Sequence, residues 1–569
     1  MQPNKSRVLS GVIITGLLSI LFQNITAQKL NFPGEILHNG ITLPYEWPPR
    51  YPEPEQPKSF PVPYLVSKPD IININTGRQL FIDSFLISKT NLKTVIHKPD
   101  YYSGNPVLLP EMEWEKTISG VPYAIPFSDG IWYDELDHKF KMWYLAGAGI
   151  MNDEKKRFYT CYAESDDGKS WIRMVSDLVP NTSVVDTFSR DASTIWLDKL
   201  ERDPLKRFKM FLVALSPEDQ RYHYMLKYSR DGIHWTQPVA VSDVVNDRST
   251  AFYNPFRSVW CLSMRTGTPV SNRSRTYLEN SNPETAVLKA HRIRKGDSDE
   301  QIVYWIYPDS EEPDNPEFPE VKPGVYNFDA IAYESIFIGQ YSIWQGPENK
   351  TCAELGIPKK NEVFLGFSRD GFHFSRPSHE PFLGIDETKG AWNNGNVQSI
   401  IGTPLIVRDS LYFYSSGRMQ NSMFWDGFAS TGLATLRRDG FVSMNAGKEE
   451  GFLVTEKLSF DGMYLFINAE IRKSLRVEIL DEDGRFIDGF TKNDSKVLRK
   501  FNSTSQLITW EENKDLSSLE GRIIRLKFYL KDGDLYSFWI SPWISGESRG
   551  YTGGGGPELS SSGLDVPNR

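Results

Sequence analysis

The sequence predicts an all-β protein, a five-bladed β-propeller followed by a C-terminal β-sandwich, and three observations predict it. A hairpin signal returns at a nearly fixed interval: Ser165-Asp166-Asp167-Gly168-Lys169-Ser170-Trp171, Ser229-Arg230-Asp231-Gly232-Ile233-His234-Trp235, Ser368-Arg369-Asp370-Gly371-Phe372-His373-Phe374 and the shorter Arg438-Asp439-Gly440-Phe441. Its glycines lie 64, 139 and 69 residues apart, so the middle gap spans two periods with one degenerate copy. Fixed periodicity marks a repeat architecture, and units of this length suit four-stranded propeller blades. Asp-Gly supplies the positive φ a tight hairpin needs, and the aromatic three residues on can pack back onto a sheet. Aromatic residues make up 13% of the chain, with 15 Trp and 26 Tyr, a composition that favours strands. Helical periodicity is hard to find beyond the first 25 residues.

Taken in order, residues 1–27 read as a signal peptide: Lys5 and Arg7 form a basic start, residues 8–22 an apolar run, and Ile25-Thr26-Ala27 a small-residue cleavage site. No cysteine stands near that boundary, which argues against a lipid anchor. Residues 28–74 are a Pro-rich, aperiodic lead-in that reads as an extended strap. The propeller is expected over 75–445, starting with a strand at Leu80-Phe81-Ile82-Asp83-Ser84-Phe85-Leu86-Ile87 and continuing through runs such as Phe140-Lys141-Met142-Trp143-Tyr144 and Phe208-Lys209-Met210-Phe211-Leu212. Residues 446–545 alternate apolar and polar, as in Leu475-Arg476-Val477-Glu478-Ile479-Leu480, and read as the sandwich. The Gly/Ser-rich tail, 546–569, reads as flexible.

Bulk properties narrow the function classes. The net charge of −9 gives no global support for binding nucleic acid or an anionic membrane. Three cysteines, Cys161, Cys261 and Cys352, form no disulfide framework. Export without disulfides suits a bacterial periplasm or cell exterior, with no membrane association after cleavage.

Four polar segments interrupt the blade pattern, each from a different unit: Ser189-Arg190-Asp191-Ala192-Ser193-Thr194, Asp247-Arg248-Ser249-Thr250, Asp329-Ala330-Ile331-Ala332-Tyr333-Glu334 and Trp392-Asn393-Asn394-Gly395-Asn396-Val397-Gln398. If each opens the innermost strand of its blade, their side chains share one funnel. Asp191, Asp247 and Glu334 are then the acid/base candidates, because glycosidic cleavage needs one carboxylic acid and a second carboxylate. The competing reading makes them turn and cap residues. Arg248, Arg257, Arg265, Arg273 and Arg275 fall within 28 residues, with Tyr253 and Tyr277 among them. Guanidinium forks suit carboxylate or sulfate groups, so the expected partner is an anionic oligosaccharide or polysaccharide, with Arg190, Arg248, Arg265, Arg273, Arg275, Tyr253, Tyr277, Asn396 and His97 as binding residues. His234 and His373 occupy equivalent hairpin positions and read as structural. Gly546-Glu547-Ser548-Arg549-Gly550 fits a nucleophile-elbow pattern but lacks the strand-turn-helix context. No metal-ligand spacing or cofactor fingerprint appears, and a structural cation in the channel has no motif behind it.

Together, Asn105-Pro106-Val107-Leu108, Tyr162-Ala163-Glu164-Ser165, Asp247-Arg248-Ser249-Thr250, Asp329-Ala330-Ile331-Ala332-Tyr333-Glu334-Ser335, Gly395-Asn396-Val397-Gln398-Ser399 and Leu433-Ala434-Thr435-Leu436-Arg437-Arg438-Asp439-Gly440-Phe441 resemble exported bacterial proteins similar to glycoside hydrolase families 32 and 43. The resemblance spans about residues 75–545. It implies a five-bladed propeller with three acidic residues in the funnel and, as in family 32, a C-terminal sandwich. The Trp-x-Asn-Asp-Pro-Asn-Gly and Glu-Cys elements of family 32 are absent, and Ala192 stands where its Arg-Asp-Pro element has proline, so fructan cleavage is not implied.

Three readings follow. The first is a glycoside hydrolase on oligosaccharides of an acidic plant or algal polysaccharide. The second is a lyase or dehydratase that eliminates across C4 and C5 of a non-reducing-end uronate, as in ulvan-type oligosaccharides. The third is a glycan-binding protein without turnover.

Overall fold

The computed structural model describes the chain apart from residues 1–33, 117–121, 147–157, 217, 294–298, 300, 358, 421–426 and 569. The expected signal peptide lies outside the described residues. Strands dominate, and no described helix is long and apolar enough to cross a membrane.

Five antiparallel sheets form the blades. Blade one runs from Ala124–Asp134 through Lys139–Ala146 and Tyr159–Ser165 to Ile172–Arg173 and Val184–Asp186. Blade two is Arg190–Leu197, Phe208–Leu215, Tyr222–Ser229 and Ala240–Val244. Blade three is Thr250–Asn254, Val259–Thr266, Ser274–Asn280 and Val303–Tyr304. Blade four is Gly324–Glu334, Ile336–Gly346 and Lys360–Ser368. Blade five is Asn396–Gln398, Ser410–Gln420 and Gly427–Arg437, closed by Asp100–Tyr101 from the N-terminal side. Pairing the start of the chain with the last blade locks the ring without an exposed edge there.

First strands of neighbouring blades are tied around the axis by hydrogen bonds. Ala251 donates to Thr194 Oγ1 (3.1 Å), Thr250 Oγ1 to the Phe328 carbonyl (3.1 Å) and Ser399 Oγ to Asp329 (2.6 Å). Arg190 and Ser193 both donate to Asp129, and Phe127 donates to Ser416 Oγ on the second strand of blade five (2.9 Å). Between blades the packing is aromatic, with Trp132, Trp143 and Trp305 fully buried.

The repeated hairpin has a clear physical role. In each of the three full copies the Ser hydroxyl donates to the Asp carboxylate, and that carboxylate accepts the backbone N–H groups of the second and third residues after it. Gly168, Gly232 and Gly371 take φ of 72°, 81° and 81°, which only glycine adopts without strain. The turn is then bolted to the preceding blade: Tyr414 Oη donates to Gly168 O (2.7 Å), Trp143 Nε1 to Gly232 O (2.7 Å) and Trp305 Nε1 to Phe372 O (2.8 Å). His234 and His373 pair with Asp231 and Asp370 of their own turns, at 2.7 and 2.6 Å. The fourth copy differs: Asp439 itself takes positive φ (59°), and its carboxylate binds Arg78, Tyr333 and Ser537.

A ten-stranded sheet forms the second unit and draws from both ends of the chain. Gln79–Leu80, Ile87–Thr90 and Lys93–Ile96 pair with strands of the C-terminal part, whose longest members, Tyr464–Asp481 and Ile524–Ser541, have 18 residues each. Leu453, Val477, Trp510, Phe528 and Phe538 are central to its core. The strand expected over residues 80–87 is therefore two short strands of this second sheet and not the start of blade one. Asp83 breaks it, accepting the Phe85 N–H (3.0 Å) and pairing with Arg369.

The tail also differs from expectation. Residues 553–556 run across one end of the propeller axis, where Tyr133 N–H donates to Gly554 O (2.9 Å) and Ile406 N–H to Gly555 O (2.8 Å). Tyr551–Thr552 adds a strand to the inner edge of blade four. A Cβ on Gly554 would stand 1.6 Å from the Gly402 oxygen, so the glycines permit close packing rather than flexibility.

A candidate active site in a cation-rich funnel

The funnel opens at the end of the axis where the first strands begin, and β-bulges shape it. Asp191 is the unpaired residue between the register pairs Arg190↔Ala214 and Ala192↔Val213, and Tyr326 the one between Val325↔Ile343 and Asn327↔Ser342. In blade one the register slips between Ile125 and Gly130, carrying Phe127, Ser128 and Asp129. A bulge places an extra residue out of the ladder and re-aims its side chain.

Arg248, at φ 56° just before blade three, lies fully buried on the axis. Its guanidinium covers the Phe127 ring at 3.7 Å and donates to Phe127 O (3.1 Å) and Ser128 Oγ (3.2 Å). Its backbone N–H donates to Asp191 Oδ2 (2.9 Å). Asp247 pairs with Arg265 beside it. The Arg273 guanidinium stands 4.2 Å from the centre of the Tyr326 ring, with Lys359 at 4.9 Å and Arg248 at 5.2 Å. Deeper in, Asn327 donates to Asp329 (2.7 Å) and Ser128 Oγ (2.9 Å) and accepts from Arg275 (3.3 Å).

The carboxyls are driven apart electrostatically. Burial raises Asp191, with neighbouring Asp247 adding to it and Arg248 opposing. Burial would also raise Asp247, but Arg265, Arg273 and Arg248 outweigh it and hold that group below its ordinary value. Asp129 is pushed by burial up to about 6 despite Arg190, and Asp329 is raised by burial as well.

The structure thus brings together Arg190, Asp191, Asp247, Arg248, Arg265, Arg273 and Arg275. Asn396, buried on the first strand of blade five in register with Arg418, accepts weakly from Asn361 (3.4 Å). Four expected residues lie elsewhere. Glu334 ends the first strand of blade four, at the opposite end of the axis from Tyr326 and Asp329. It is fully buried and binds Arg438 (3.0 Å), Ser548 Oγ (2.6 Å) and the Arg78 N–H (3.1 Å). His97 belongs to the second sheet, against Ser443 Oγ (2.9 Å) and the Tyr536 ring. Tyr253 packs on Trp260 and lines an apolar cavity of about 50 Å³ with Trp132, Trp196 and Tyr551. Tyr277 is buried within blade three, donating to Glu279 (2.6 Å). These residues alternate along strands that cross the whole blade, so sharing a motif with a funnel residue does not put them in the funnel.

The residues missed are Asp129, Tyr326, Asn327 and Asp329 as a funnel group. Phe127-Ser128-Asp129-Gly130 did carry a signal, a polar break inside an otherwise apolar strand. Among the described residues Asp309, Glu312 and His379 form the group whose ligand atoms come within 4.8 Å of one another. Arg376 already pairs with Glu312 and stands 3.6 Å from Asp309, so the group is satisfied as an ion-pair cluster.

No protein-family model matches the chain. No curated protein matches it either. Among solved structures it is similar to a glycosyl hydrolase from Bacteroides ovatus (12% identity, 64% of this chain, 97% of the other, TM-score 0.37). It is also similar to the catalytic domain of a Coprinopsis cinerea GH62 alpha-L-arabinofuranosidase (10% identity, 60% and 98%, TM-score 0.37). No residue role, substrate or reaction is carried over from either.

Proposed function

We propose that this protein is an exported carbohydrate-active enzyme that hydrolyses a glycosidic bond of an anionic oligosaccharide bound in the funnel. The observation that carries this reading is the Asp191/Asp247 pair: two neighbouring carboxyls, one raised above its ordinary value by burial and one held below it by three arginines. Environments that separate two such groups assign the acid and the base. Asp191 would protonate the leaving oxygen, and Asp247 would act as nucleophile or activate water. The anionic sugar is supported by the surplus of guanidinium groups. Arg190 Nε and Nη1, Arg248 Nε, Arg273 Nη1 and Arg275 Nε are buried without a hydrogen-bond partner among the described residues. Buried donors of this kind are costly unless a ligand or water meets them.

The test is the mature protein on uronate-bearing and sulfated oligosaccharides, with products weighed by mass spectrometry. A product pair heavier than substrate by one water, lost in Asp191→Asn and Asp247→Asn, supports the reading. Binding without any product would reduce the protein to a glycan-binding role.

A further inference from the structure

Tyr326 stands in the funnel beside Arg248, Arg273 and Asp191 and takes no part in that hydrolysis. It is the inserted residue of a bulge, so the backbone departs from the ladder to present it. Its carbonyl is held by Arg275, which pins the main chain beneath the ring. Three cations from three separate segments surround the ring: Arg273 at 4.2 Å, Lys359 at 4.9 Å and Arg248 at 5.2 Å. Asp191 is the acidic group that faces it and opposes them. Its ring is half-buried.

We propose that Tyr326 is a general base in this funnel and that it catalyses a second reaction, β-elimination from a uronate sugar. The proposal rests on the reading of the funnel as an anionic-sugar site. Three cations around one phenol stabilise its ionised form far more than its neutral form. In keeping with this, the Tyr326 hydroxyl is held below the ordinary tyrosine range: burial would raise it, and Lys359, Arg248 and Arg273 together overcome burial. Burial, and after it the like charge of neighbouring arginines, lowers Lys359 and Arg273, while Tyr326 acts in the opposite direction on both.

A phenolate is a stronger base than a carboxylate and can take an acidic proton from carbon. The acidic C–H of a uronate is at C5, next to the carboxylate. Arg273, with Nη1 buried and unpaired, is placed to neutralise that carboxylate and the negative charge that builds on it as the proton leaves. The C5–H pair becomes the C4=C5 double bond while the C4–O bond breaks. The proton goes to Tyr326 Oη, and the departing oxygen takes a proton from the Asp191 carboxyl. No water is consumed and nothing is oxidised or reduced. Solvent then takes the Tyr326 proton and restores that of Asp191. The products are an unsaturated uronate and an alcohol, or water where C4 carries a free hydroxyl.

The test compares the wild type with Tyr326→Phe, which keeps the ring and its packing, on oligosaccharides ending in glucuronate or iduronate. Unsaturated product is read by the ultraviolet absorbance of the conjugated double bond and by mass. Wild type is expected to form it, and the variant to lose it by about 10²–10⁴-fold while binding the same sugars in calorimetry. Ultraviolet titration is expected to show one tyrosine ionising ahead of the others, absent in the variant. Wild-type rates in Tyr326→Phe would overturn the proposal, as would sugar binding with no unsaturated product from either uronate. Failure to bind anionic sugars at all would instead sink the reading of the funnel beneath it. Water-gaining products with no unsaturated ones would leave hydrolysis standing and remove Tyr326 as a base.

Discussion

Asp191 and Asp247 carry the same side chain and differ only in neighbours: burial dominates at one, and three guanidinium groups at the other. Hydrolysis by this pair needs Asp247 ionised and Asp191 protonated. Activity is expected to rise with pH through the depressed Asp247 value and fall through the raised Asp191 value, giving a bell-shaped kcat/KM profile whose falling limb is lost in Asp191→Asn. Asp191→Asn should lower kcat by about 10²–10⁴-fold with the unfolding temperature unchanged. Glu334 makes the opposite case. It faces Arg78, Arg438 and Ser548 far from the funnel, so Glu334→Gln should cost stability, about 3–5 kcal/mol for one partner of a buried ion pair, and leave KM unchanged. A denaturant melt beside a kinetic assay separates the two residues.

At the scale of elements, the Ser-x-Asp-Gly hairpin shows how a local signal serves a non-local purpose. Its serine and aspartate close the turn, and its carbonyl receives an aromatic donor from the blade before. Tyr414→Phe removes one such bolt at Gly168 and leaves a buried carbonyl unpaired. The expected loss is about 1–3 kcal/mol of stability with no effect on the funnel, checked by thermal unfolding and sugar binding. The bulges work the other way, spending ladder hydrogen bonds to present Asp191 and Tyr326. The close approach of Gly554 to Gly402 gives a second test. Gly554→Ala cannot seat without moving backbone, so the tail should become accessible to limited proteolysis.

Across the whole molecule, the tail, the propeller and the second sheet share one buried network. Arg78 directly precedes Gln79–Leu80 of the second sheet, Asp439 follows the last blade, Glu334 ends the first strand of blade four, and Ser548 and Asp565 belong to the tail, with Arg438 bridging Glu334 and Asp565. Deleting residues 546–569 would leave Glu334 short of Ser548 and Arg438 short of Asp565, and expose the axis. The two units are expected to unfold in separate steps after such a deletion and in a single step in the full chain, read by calorimetry.

The all-β class and the five-fold repeat followed from the sequence, because both rest on local chemistry: aromatic strands, Asp-Gly turns and a constant unit length. Arg190, Asp191, Asp247 and Arg248 stand at or just before the first strands of blades two and three, as their polar segments suggested, while Arg265 and Arg273 reach the same place from the second strand of blade three and the turn before its third. Register and long-range pairing, by contrast, came from contacts between distant parts of the chain. Glu334 stands five residues after Asp329, and in an extended strand that separation crosses the blade from the funnel to the closed end. Gln79–Ile96 could not be assigned to the second sheet from its own pattern, because its partners lie more than 300 residues away. A glycine-rich tail reads as flexible by composition, yet here the missing side chains let backbone meet backbone at Gly402 and Ile406. Tyr326 was invisible for the same reason as the bulge that carries it: one extra residue in a ladder has no signature until the opposite strand is in place.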